Sequence, residues 1–171
     1  LAEDQANATQ KMTAAKPAIL ALKLLPGLNT GPGTEPYNKA VAFLKAQGVI
    51  PTGKENDPTV VYQEADKYLH QYLKGRGGRS DADLAAAEKS SPGVGVQLNP
   101  ALQHLTQTAI AQDRIEAARP TAFTQAGRQD YQNYGQHSAT FPQSVDERAF
   151  QLDLMPPAES QKLVDSMHNK Y

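Results

Sequence analysis

The apolar positions of this chain recur at helical spacing, most clearly between Asp57 and Ser80. Val61, Ala65, Tyr68, Leu69, Tyr72 and Leu73 fall at i, i+4, i+7, i+8, i+11 and i+12. That is one stripe along a helix of about four turns. Asp57 is a good N-cap, Pro58 suits the first helical position, and Gly75, Gly77 and Gly78 stop the helix. Residues 2–25 predict a helix or a broken pair, with Pro17 as a kink or a second start and the densest apolar patch at Ile19, Leu20, Leu22, Leu24 and Leu25. A turn-rich loop at 28–36 leads to a short helix over about 35–47, with Tyr37, Ala40, Val41 and Leu44 on one face and Gly48 beyond its end. Ser80 caps a further helix to about Ser91. Asn99-Pro100 opens a long one to about Arg119, ended by Pro120, with Leu98, Leu102, Leu105 and Ala109 inward. A last helix is predicted over 157–168, with Leu163, Val164 and Met167 inward.

From 121 to 143 the periodicity disappears. Phe123, Tyr131, Tyr134 and Phe141 stand isolated among polar residues. An extended arm draped over a neighbour, with the aromatics as anchors, fits this pattern, and a poorly ordered loop fits it equally. The expected fold is therefore all-α: roughly five to seven helices joined by long Gly/Pro-rich loops, non-compact and completed by partner subunits. Residues 1–120 form its helical region and 121–171 the arm with a C-terminal helix. The whole is expected to be an ordered segment of a longer chain.

Composition narrows the classes. Basic residues number 17 and acidic residues 18, for a formal net charge of -1, so no excess of lysine and arginine is available to track a nucleic-acid backbone. Cysteine is absent, which removes disulfides, thiolate chemistry and cysteine-ligated metal. No apolar run is long enough to span a bilayer. Leu, Ile, Val and Phe make up under a fifth of the chain and there is no tryptophan. A lean, alanine-rich helical chain of this kind completes its burial against a partner or a copy of itself.

Candidate chemistry is sparse. Gly48 to Lys54 has the spacing of a phosphate-binding loop, but Glu55 stands where a magnesium-binding hydroxyl belongs, and a helix rather than a strand precedes it. Gly93-Val-Gly95 lacks the third glycine of a dinucleotide fingerprint. His70, His104, His137 and His168 form no pair at i+3 or i+4, so no helical metal site is encoded locally. No catalytic, cofactor-binding or metal-binding residue is assigned. The basic turn with Arg76 and Arg79 reads as a solvated helix stop or a subunit contact. Tyr68 and Tyr72 lie on the stripe and read as core, whereas Tyr62 lies off it and reads as interface. The candidate partner-contact residues are thus Leu20, Leu24, Tyr62, Arg76, Arg79, Phe123, Tyr131, Tyr134 and Phe141.

Two stretches carry a resemblance. One is Gly78-Arg79-Ser80-Asp81 with Asp83-Leu84. The other is Arg148-Ala149-Phe150 with Asp153-Leu154-Met155-Pro156 and Glu159. With the long helix from Asn99, these resemble segments of structural proteins of tailed-bacteriophage virions, and together they cover about half the chain. The resemblance implies a non-enzymatic, cofactor-free component of the particle, at the capsid, at the head-to-tail junction or among proteins ejected with the genome. Its partners would be other virion proteins or copies of itself, and it would be assembled in the host cytoplasm. The alternatives are a non-catalytic segment of a longer phage enzyme such as a cell-wall hydrolase, and a nucleic-acid-binding module using the Arg76/Arg79 turn, which is not favoured.

Overall fold

The computed structural model describes residues 1–76, 97–125 and 131–170, and these are all-helical with no strand among them. Six α-helices are described: α1 (Ala2–Leu24), α2 (Glu35–Ala46), α3 (Pro58–Arg76), α4 (Pro100–Gln125), α5 (Tyr131–Ser144) and α6 (Pro157–His168). Two 3-10 segments, Leu25–Thr30 and Glu147–Leu154, join them. The helix expected from Ser80 to Ser91, the Gly93-Val-Gly95 run and Arg79 lie outside the described residues.

The chain packs into two units: residues 1–16 with 108–171, and residues 17–107. The boundary expected after residue 120 falls inside α4, which continues to Gln125.

In the unit formed by residues 17–107, local chemistry sets the element ends. Thr34 caps α2, its Oγ1 accepting from the Tyr37 N–H at 3.3 Å. Gly48, at φ 71°, closes the same helix: its N–H donates to Lys45 O, and Val49 N–H reaches back to Leu44 O. This is the glycine-ended motif that satisfies a helix's last carbonyls. Asp57 caps α3 through the Thr59 N–H at 3.1 Å. Val61, Ala65, Leu69 and Leu73 are buried along the predicted stripe. Tyr68 and Tyr72 are only half-buried, Tyr68 packing edge-on against Phe43 of α2 at 5.6 Å between ring centres.

The unit formed by residues 1–16 and 108–171 has a thinner interior. Ala8 and Ala15 of α1, Ala109, Ile110, Ala111, Ile115 and Phe123 of α4, Tyr134 of α5 and Leu154 are its buried apolar residues. An alanine gains little on burial, about 0.8 kcal/mol per CH₂-sized group against 1.5–3 for a leucine or phenylalanine. Polar ties carry more of the specificity here. Arg114 of α4 donates to both carboxylate oxygens of Asp153, at 2.6 and 3.0 Å, and to Phe150 O at 2.8 Å. Such a forked pair fixes direction as well as distance.

Three prolines sit inside helices. Pro17 lies within α1, Pro120 within α4 and Pro142 within α5. Each removes the N–H that would bond the carbonyl four residues earlier, which costs a helix about 3 kcal/mol. Pro120, expected to end α4, is instead fully buried within it, and the helix carries Phe123 a turn further. The burial of ring and neighbours offsets the lost bond.

Candidate functional site

The densest meeting of charged and aromatic side chains lies where α1, α4 and α5 converge in the unit formed by residues 1–16 and 108–171. Asp4 sits in the first turn of α1, where a carboxylate complements the helix dipole. Arg119 reaches it from α4, with Nη2 and Oδ2 3.7 Å apart. Tyr134 of α5 donates its hydroxyl to the same Oδ2 at 2.7 Å. That hydrogen bond, more than the Arg119 and N-terminal charges, holds the Asp4 carboxyl below its ordinary 3.8, against a smaller opposing effect of burial. The Tyr134 phenol moves the other way, pushed up by burial and then by the carboxylate that accepts from it.

A second layer surrounds this junction. His137, one turn along α5 from Tyr134, places Nε2 3.1 Å from the Arg119 carbonyl. A carbonyl can only accept, so Nε2 carries the proton. Phe123 packs against Tyr134 at 5.0 Å and His137 at 5.4 Å, and Phe141 stands 5.2 Å from His137. Beside the Asp4–Arg119 pair a cavity of about 210 Å³ is lined by Asp4, Asn7, Gln10, Lys11, Glu116 and Arg119. Lys11 and Glu116 form an ion pair there. The Arg119 Nε is buried with no hydrogen-bond partner among the described residues. Its cationic groups and carboxylates balance, so the cavity is polar and formally neutral. Among the described residues no group of three or more His, Asp or Glu side chains is placed to hold a metal ion.

In the unit formed by residues 17–107 the comparable polar cluster surrounds the start of α4. Asn99 is 2% exposed. Its side chain accepts from Ala101 and Leu102 N–H groups at 3.0 and 3.4 Å. Its own N–H donates to Asp66 of α3 at 2.9 Å. Asn29 accepts from Leu98 N–H at 3.1 Å. Burial pushes the Asp66 carboxyl up, and the Asn99 hydrogen bond pulls it partly back.

The expected contact residues divide. Leu20 is 46% exposed, and Leu24 is half-buried. Arg76 is the last residue of α3 and Tyr131 the first of α5; Arg79 lies outside the described residues. Tyr62 is not a surface residue: it is buried, and its hydroxyl donates to Leu28 O. The reason is the width of the buried face. Tyr62 stands three and seven residues before Ala65 and Leu69, so it borders the stripe instead of opposing it. Phe123 and Tyr134 are also internal, at 1% and 8% exposure, and Phe141 is half-buried against His137. Where described, residues 121–143 are helical, at 121–125 and from 131 onward, so the extended arm is replaced by a docked helix in this structure.

Asp4 and Arg119 were not among the candidate residues read from sequence, and His137 was weighed there only as a metal ligand. Tyr134 and Asp4 are 130 positions apart, and no local pattern announces such a pairing. Asp153 and Leu154, within the segment that carries the resemblance, hold the fold together through Arg114 and through burial.

Comparison with protein-family models, curated proteins and solved structures finds no match. Among the described residues no helix is long and apolar enough to cross a membrane.

Proposed function

We propose that this chain is a non-enzymatic assembly component of the kind that builds tailed-phage virions, packing helices against copies of itself or other virion proteins. It would be non-compact, with long loops and a burial completed by its partners, and it would take no cofactor. The virion reading comes from the two sequence stretches that resemble such proteins.

The observation that most supports an assembly role is α6. Ser160, Leu163, Val164 and Met167 share one face of this helix at i, i+3, i+4 and i+7, yet none of its residues is fully buried. An amphipathic face left half-covered is what a helix completed by a neighbour presents. Leu20, the one large apolar residue among those described that is plainly exposed, adds a second such position.

The test is the solution mass of the purified chain by light scattering, with circular dichroism on the same sample. A helical oligomer that falls to monomer in Leu163→Gln or Leu20→Gln is the expected result. A cooperative helical monomer, unchanged in mass by either variant and across concentration, overturns self-assembly. If that monomer also fails to bind any virion protein, the virion reading falls too.

A further inference from the structure

Helix α5 is poorly encoded as a helix and well encoded as a docked one. Its sequence, YQNYGQHSATFPQS, carries Gly135 near its start and Pro142 in its last turn, with few strong helix formers between them. A helix this short is marginal in isolation even when built from alanine. Among its described side chains, only one face meets the rest of its unit. Tyr134 is buried and His137, Ser138 and Phe141 are half-buried, while Gly135, Gln136, Ala139 and Thr140 are exposed.

That face is held by three anchors. The Tyr134 hydroxyl donates to Asp4 at 2.7 Å, and His137 Nε2 donates to the Arg119 carbonyl at 3.1 Å. The rings of both residues close over Phe123, at 5.0 and 5.4 Å. Order in α5 therefore comes from a few tertiary contacts and little from its own backbone.

We propose that α5 is a strap that undocks and unfolds by itself while α1 and α4 stay folded, and that its opening bares Phe123. Segments with few buried contacts and exposed backbone hydrogen bonds open below the free energy of global unfolding. Opening converts a covered aromatic cluster into a surface of Phe123, with Tyr134 and Phe141 freed on a polar segment. It is a property of a single chain, so it stands or falls separately from the assembly reading.

Amide hydrogen exchange on the whole chain tests it, followed by mass spectrometry at peptide resolution. In the unaltered protein, amides of residues 134–144 are expected to exchange at least tenfold faster than those of residues 110–119. Tyr134→Phe removes a hydrogen bond to a charged acceptor and is expected to speed α5 exchange roughly tenfold, leaving α2 and α3 unchanged. Gly135→Ala works in the opposite direction. A Cβ at Gly135 meets nothing within 4 Å, so the variant is expected to slow α5 exchange about fourfold through helix propensity alone. The strap is overturned if α5 and α4 exchange together and shift together in both variants. It is equally overturned if neither variant changes α5 exchange.

Discussion

Gly27 shows how closely two backbones approach in the unit formed by residues 17–107. A Cβ built there would stand 2.5 Å from the Pro36 carbonyl oxygen and 2.8 Å from its carbon. Both atoms are backbone and cannot rotate away, so the 3-10 segment and the start of α2 would have to separate. Gly27→Ala is expected to lower stability by about 1–3 kcal/mol, as overpacking does, read as a drop in the urea midpoint at unchanged slope. Titration acts at the same scale. Asp4 is held low in the folded protein by Tyr134 and Arg119, and Asp146 is held at about 2 by hydrogen bonds from Arg148. A depressed carboxyl contributes stability above its unfolded pKa and loses it as pH falls through the folded one. Stability is therefore expected to fall from about pH 4 toward pH 2, and urea unfolding of Asp4→Asn across that range should show a shallower loss. Asp66 has the opposite sign: its carboxyl is raised by burial, so acidification relieves a cost instead of removing a tie. An identical acid profile in Asp4→Asn would mean that the junction of α1, α4 and α5 contributes nothing through its charge.

The elements were legible where their signals are local. Caps and stripes are set within a few residues, which is why Gly48 closes α2, Asp57 and Pro58 open α3, and Asn99 opens α4 as expected. Asn99 does two jobs, capping α4 with its side chain and tying it to Asp66 of α3 through its N–H. Asn99→Ala keeps the second and loses the first. It is expected to cost about 1–2 kcal/mol, measured by thermal unfolding, with Asn99→Ser recovering part of the loss. What sequence did not show was helix running through Pro120 and Pro142. Pro120 was read as a stop because the rule weighs only the lost hydrogen bond, and it cannot see the burial of the ring. The helical state of residues 131–144 was hidden for a related reason. Its order depends on Asp4, Arg119 and Phe123, and the first of these is separated from it by most of the chain. Tyr62, read as a partner contact because it lies off the stripe, and Phe123, read as an anchor of an arm, instead find internal partners.

At the scale of the molecule, one of the two packing units is continuous in sequence and the other is not. Residues 17–107 form one; the first sixteen residues join those from 108 onward to form the other. The two therefore differ in when they can exist. As a ribosome extends the chain, Tyr62 meets Leu28 and Tyr68 meets Phe43 soon after they emerge, across short stretches of chain. Asp4 and Ala8 wait, already made, until Arg119 and Tyr134 arrive. Closing so long a loop adds only a slowly growing entropic cost, so the delay weighs on time more than on final stability. During that interval the start of α1 has no interior of its own to enter. Residues 1–16, made before the rest of their unit, are then among the last parts of it to find their place.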